Sequence, residues 1–220
     1  MGSGYFQLLV LAAIALFLIL RLRNALGTRD GFEPRAERTP LDLQPDPPAD
    51  VPDESDGIDH DIVEHFPADS PSGKALAAMK IVEPTFTVEE FVGGARWAYE
   101  IILMAFEGDD LETLKGLLAS DVFQSFETVV RGRQGKGLKV EASFIGVRDT
   151  KLESVRFNKK TEEAEIAVRF ISELTSVVRD SEGEIVEGDP NTIKRQTDVW
   201  TFARIMGDDD PNWILVATGE

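Results

Sequence analysis

The chain opens with a continuous apolar run that has no polar face. Residues 5–20 contain only the Tyr5 hydroxyl and the Gln7 amide as polar side-chain groups. Counted from Gly2, the run would form about 28 Å of helix, close to the roughly 30 Å of a bilayer core. No Lys or Arg precedes the run, and three arginines follow it. By the positive-inside rule, this pattern predicts a transmembrane anchor with a basic flank over residues 1–28 and places the C-terminal side in the cytoplasm. A buried core helix is the alternative interpretation.

Residues 29–70 show neither a helical nor a strand period. They hold seven of the eleven prolines, thirteen acidic residues and three basic ones. This composition cannot bury enough apolar area to offset the entropy of ordering the backbone, so we predict a disordered, extended acidic linker. We interpret His60 and His65 as solvated linker residues. The linker would act as a spacer, with an acidic motif recognised by a partner as the alternative.

Helical spacing of apolar residues begins after the linker. The pattern T-x-x-E at Thr87 is a capping box, which predicts the start of a helix of about five turns. A short second helix is predicted over 111–119, and a third helix is predicted with Ser120 or Asp121 as its cap. Ahead of them, residues 74–82 form a short amphipathic piece.

From residue 139 onward the apolar period changes to two, the period of a half-buried strand. The predicted strands are 139–148, 151–157, 163–178, 192–205 and 213–218. Helices followed by an antiparallel meander predict an α+β domain over residues 71–220, with about three helices covering one face of a curved sheet.

Composition narrows the chemistry of this domain. The chain has no cysteine, and both of its histidines lie in the acidic segment. The domain therefore lacks disulfides, thiolate nucleophiles and any histidine for a metal site or a catalytic triad. The net charge is −17 without a cluster of Lys and Arg, which argues against a nucleic-acid partner. We predict no metal, no cofactor and no catalytic residue, and expect a protein that is not an enzyme.

One predicted strand carries the residues best suited to a site. Asp198, Trp200 and Phe202 alternate onto one face of the strand 192–205. Asp198 could serve as the general base of an enzyme. The interpretation that we favour is a structural charge pair between Arg169 and Asp198.

Apolar area is the remaining source of affinity for a partner, because the domain has no basic patch, cysteine or histidine. Aromatic side chains dominate such surfaces. We predict that Trp200 and Phe202 face a concavity of the sheet and that Leu76 and Met79 form its lip. These four residues are the predicted partner-binding surface.

Several segments of the sequence resemble those of a known protein family. Residues 91–126, FVGGARWAYEIILMAFEGDDLETLKGLLASDVFQSF, resemble the C-terminal domain of the mitochondrial import-motor tether, the Tim44-like family. The later words are similar to the bacterial branch of that family: VRF at 168–170, GDP at 188–190, DVWTFAR at 198–204 and DPNW at 210–213. The resemblance covers about residues 75–220.

The resemblance implies a cone-shaped fold of the nuclear-transport-factor type that binds partners without catalysis. The anchor and the acidic linker also look like those of bacterial adaptor homologues, which implies an adaptor held in the inner membrane by one helix. The partner would be a membrane protein, a chaperone or a translocated chain, and the role would lie in protein translocation or quality control. A cone-fold enzyme that uses Asp198 and a ribosome-to-membrane anchor stay open as alternatives.

Overall fold

The computed structural model describes residues 59–219. The predicted anchor at 1–28, and the predicted linker as far as residue 58, lie outside the described residues. Within the described part, no helix combines the length and the apolarity that crossing a bilayer requires.

Five helices precede the strands between residues 59 and 219. They are α1 His60–Val63, α2 Pro71–Val82, α3 Val88–Glu107, α4 Leu111–Leu117 and α5 Ser120–Gln134. The side chains of Ser70, Thr87 and Asp110 each accept the backbone N–H three residues ahead, at 3.0, 3.2 and 3.0 Å, and so define the starts of α2, α3 and α4. The predicted helix start at Thr87 is confirmed. The predicted cap of the third helix is wrong, because α5 has Ala119 at its N-cap and no capping side-chain bond.

The strands form one antiparallel sheet in the order β1-β2-β4-β5, and β3 pairs with the end of β2. They are β1 Lys139–Asn158, β2 Glu163–Arg179, β3 Ile185–Gly188, β4 Lys194–Ile205 and β5 Ile214–Gly219. The two strands predicted at 139–148 and 151–157 are one strand, β1, because bulges near residues 145, 148 and 153 bend it without ending its pairing with β2. The sequence pattern does not predict β3, which has only four residues.

Helices lie over one face of the sheet, and the α+β prediction is confirmed. Alternate residues of β2 point toward the helices, and Ile166 and Phe170 are completely buried. Rings from α3 complete this layer. The Tyr99 ring stacks on Phe170 with centroids 4.4 Å apart, and the Phe91 ring meets Phe202 edge-on at 6.3 Å.

The fold begins earlier than predicted. Ile62 of α1 is 4% exposed and belongs to the hydrophobic core, and Phe66 packs against that core. The carboxylates of Asp59 and Asp61 pair with the Lys80 ammonium of α2 at 2.8 and 2.7 Å. The boundary predicted at residue 70 is therefore too late, because the average composition of an acidic segment hides the few apolar side chains that bury its end.

Candidate functional site

The four residues predicted to bind a partner lie inside the core. Leu76 and Met79 are fully buried, and Trp200 and Phe202 are 4% and 1% exposed. Alternation does place Trp200 and Phe202 on one strand face, but side chains of α3 pack against that face. The expected concavity is therefore filled, and this prediction is corrected: these side chains cannot reach a partner unless the core opens.

The predicted pair between Arg169 and Asp198 does not form. Asp198 lies opposite Phe170 across the β2–β4 ladder, so Arg169 points to the other face of the sheet. There its guanidinium pairs with the carboxylates of Asp149 and Glu153 on β1, at 3.0 and 3.1 Å. The prediction is wrong because alternation along one strand does not reveal its register with another.

Asp198 instead belongs to a polar cluster that joins α3 to the sheet. The Tyr99 hydroxyl donates to Asp198 Oδ2 at 2.5 Å and lies 2.8 Å from Ser172 Oγ. The Gln196 amide donates to the same carboxylate oxygen at 2.9 Å and to the Tyr99 hydroxyl at 3.0 Å. Tyr99 and Ser172 are fully buried, so these hydrogen bonds replace the bonds to water that both groups lose on folding.

The electrostatics of this cluster favour a structural role over proton transfer. Burial, together with the Asp198 carboxylate, raises the pKa of Tyr99 far above its ordinary value of 10.0, so the phenol stays a neutral donor. Asp198 Oδ2 accepts two hydrogen bonds, from the Tyr99 hydroxyl and the Gln196 amide, so this oxygen links α3 to the sheet. Among residues 59–219, moreover, no three His, Asp or Glu side chains are grouped so that they could hold a metal ion.

Sequence reasoning misses three of the four cluster members. Tyr99 lies between Ala95 and Ile102 in the apolar stripe of α3 and therefore resembles an ordinary core residue. Two signals were available. Gln196 precedes Asp198 by two positions on the same strand, and Ser172 is a polar residue among the alternating apolar positions of β2.

A second polar contact ties the end of α2 to β4. The Arg204 side chain, only 7% exposed, donates to the Glu83 carboxylate, which also accepts the Gly207 backbone N–H at 3.0 Å. The Arg204 guanidinium lies over the Trp213 ring, 5.4 Å from its centroid. The hydrogen bond from Arg204 lowers the pKa of Glu83, so this carboxylate stays ionised at neutral pH.

Helix α3 also carries an apolar stripe on the side that faces away from the sheet. Trp97 is 62% exposed, and Ile101 and Met104 on the following turns are half-buried. A Cβ added at Gly93 or Gly94, one turn earlier, would meet no atom within 4 Å, so the helix surface is open there. From either glycine, Trp97, Ile101 and Met104 follow at spacings of three or four positions, so these five residues share one helix face. We call them the α3 outer stripe.

The α3 outer stripe has the features of a protein interface. An exposed tryptophan offers a large, rigid apolar area, and such residues dominate binding energy where they are buried by a partner. The two glycines let another backbone approach closely. Ile81 and Ile205 are also exposed, but single apolar residues on a surface need no functional explanation.

Comparison with known proteins assigns a family to this geometry. A family model described as the Tim44-like domain matches residues 72–220. The mitochondrial import inner membrane translocase subunit TIM44-1 of Arabidopsis thaliana is 24% identical over 162 residues, which cover 70% of this chain and 34% of the plant protein. This chain thus spans about a third of the length of that relative.

Among solved structures, the intermembrane space region of the chloroplast protein ARC6 has 15% identity to this chain and a TM-score of 0.38. The match covers 57% of this chain and 88% of that one. The family match covers more than half of the chain and confirms the resemblance: the chain belongs to the Tim44-like domain family.

Proposed function

We propose that this chain is a membrane-anchored adaptor without enzymatic activity, which binds a protein partner at the cytoplasmic face of the inner membrane in protein translocation or quality control. Membership of the Tim44-like family, and the translocase subunit among its relatives, support a role in protein transport. The apolar run at residues 5–20 supports the anchor, through which the chain would contact the bilayer. Helices packed on one face of an antiparallel sheet support a nuclear-transport-factor-like cone.

The α3 outer stripe is the observation that carries this proposal. The partner, whether a membrane protein, a chaperone or a translocated chain, needs apolar area that it can reach, and the four residues predicted from the sequence are buried. Trp97 supplies that area on a helix of 20 residues whose opposite face is fixed in the core. A surface on such a rigid support loses little conformational entropy when a partner binds.

Crosslinking in intact cells, followed by identification of the captured proteins, tests the stripe. Trp97→Ala in the full chain is compared with Ile81→Ala, which removes an exposed apolar side chain outside the stripe. We expect Trp97→Ala to lower the yield of captured partner about tenfold or more, and Ile81→Ala to leave it near the wild-type level, because binding energy is concentrated in aromatic residues. Full capture by a folded Trp97→Ala chain would rule out the stripe as the docking surface.

Protease protection tests the proposed topology independently of the partner. Protease added to intact spheroplasts should spare the domain, whereas opening the membrane should expose the acidic segment before residue 59 to cleavage. Digestion of the domain from outside would overturn the cytoplasmic assignment.

A further inference from the structure

The segment that leads into the domain is held like a bound peptide. Residues 59–66, which we call the strap, precede the region 72–220 that the family model matches. The strap contains α1, a helix of four residues with no side-chain cap bond. A helix this short is not stable alone. The strap therefore owes its shape to the groove in which it lies, between α2 and the first turn of α3.

Contacts of three kinds hold the strap in this groove. The two oxygens of the Asp61 carboxylate accept the backbone N–H of Val88, the first residue of α3, at 3.1 and 2.9 Å. The same carboxylate pairs with the Lys80 ammonium at 2.7 Å. Ile62, the next residue, is 4% exposed within the core. The groove thus offers a helix N-terminus, an ammonium and an apolar pocket, side by side, to an Asp-Ile pair.

We propose that this groove is a peptide-binding site for a short acidic segment with an isoleucine directly after its carboxylate, and that the strap occupies it in cis as a detachable ligand. Lys80 and the positive end of α3 select a carboxylate, and the pocket selects an apolar side chain beside it. The strap forms no part of the sheet, so its release would break no strand pairing and would expose only its own contacts, Ile62 among them. This site is separate from the α3 outer stripe.

Ionisation of the charged groups agrees with this geometry. Burial opposes the charge on Asp61, but hydrogen bonds from Lys80 and from the Val88 N–H outweigh it and lower the pKa of that carboxyl. Burial likewise opposes the charge on Lys80, but hydrogen bonds to Asp59 and Asp61 outweigh it and raise the pKa of the ammonium. Both partners are therefore charged at neutral pH.

Binding in trans tests the site. The probe is a fluorescein-labelled synthetic peptide of residues 57–68, and the receptor is the full chain with Asp61→Asn and Ile62→Ser, which weaken the hold of its own strap. We expect saturable binding to this variant by fluorescence anisotropy. The affinity of the peptide for the wild-type chain should be lower by about tenfold or more, because the tethered strap competes for the groove at high effective concentration. A peptide with the same two substitutions should not bind.

Two results would overturn the proposal: no saturable binding to a variant that still unfolds cooperatively, or equal binding of the substituted peptide. If the variant does not fold, hydrogen exchange on the wild-type full chain tests whether the strap detaches.

The amides of Ile62, Val63 and Phe66 are hydrogen-bonded within the strap. A detachable strap predicts that they exchange about tenfold faster, or more, than the inner amides of α3, since it opens locally. Exchange of both sets at one common rate refutes detachment.

Discussion

Trp97 and Tyr99 lie two residues apart on α3, yet Trp97 is 62% exposed and Tyr99 is fully buried. The Tyr99 ring stacks on Phe170, and its hydroxyl bonds to Asp198 and Ser172. The fold uses the inner face of α3 completely, whereas Trp97 on the outer face presents most of its apolar area to solvent. The two faces of α3 therefore differ in their cover: the inner face packs against the domain, and the Trp97 ring on the outer face stays exposed.

Truncation on the inner side should have the largest effect on stability. Trp200→Ala removes a ring whose centroid lies 4.6 Å from that of Tyr99. The lost burial and the cavity should lower the free energy of unfolding by about 3–5 kcal/mol. Urea unfolding of the detergent-solubilised chain, followed by circular dichroism, measures the loss. A loss below about 1 kcal/mol would contradict the core position of Trp200.

Breaking the contact between α2 and β4 should have the next largest effect. Glu83→Gln removes the charge that pairs with the buried Arg204 guanidinium, and we expect a loss of about 2 kcal/mol at pH 7. Since the pKa of Glu83 is lowered in the folded chain, its contribution is present above the ordinary value of 4.5 and is lost as the pH falls below it. Unfolding measured at several pH values should show wild type and variant converging in acid. A difference independent of pH would show that the charge is not what stabilises the contact.

Removal of one hydroxyl from the inner face of α3 should lower the free energy of unfolding by less than the two substitutions above. Tyr99→Phe keeps the stacked ring but leaves Ser172 and Asp198 without one partner each, and we expect a loss of about 1–2 kcal/mol. Trp97→Phe is the matched control, because it changes a ring on the outer face. Equal losses for both variants in urea unfolding would contradict the difference between the two faces.

The smallest effect on stability is expected at the outer stripe. Trp97→Ala should change the free energy of unfolding by about 0.5 kcal/mol or less, because the exposed ring leaves no cavity. The same substitution should have the largest effect on partner capture. A substantial loss of stability would indicate that Trp97 packs on the domain, and it would remove the reason to regard the stripe as a free surface.

Much of the fold follows from local patterns. The T-x-x-E word at Thr87 predicts the start of α3, and period-two alternation predicts β2 and β4 to within a few residues. Asp198, Trp200 and Phe202 do share one strand face. These features are predictable because capping and side-chain alternation depend on neighbours along the chain.

The candidate site is much less predictable. Nothing in the spacing of Trp200 and Phe202 reveals that α3 packs against their strand face. Nothing in the spacing of Leu76 and Met79 reveals that α2 buries both of them in the core. Arg169 pairs with β1 because the β2–β4 register places Phe170 opposite Asp198 and turns Arg169 to the other face of the sheet. The first turn of the domain, at Ile62, is hidden in a segment whose average composition is that of a linker.

The sequence by itself determined the α+β class, the order of the longer helices before the strands, and the membership of the Tim44-like family, because these depend on periodicity and on short local motifs. Only the tertiary structure decided which apolar faces are buried. The inner face of α3 is covered because the sheet lies against it, and Trp97 on the outer face stays exposed. The strap is held by its contacts with α2 and with the first turn of α3. An apolar pattern indicates that residues share one face of a helix or strand. Which element packs against that face depends on residues that are distant in the chain.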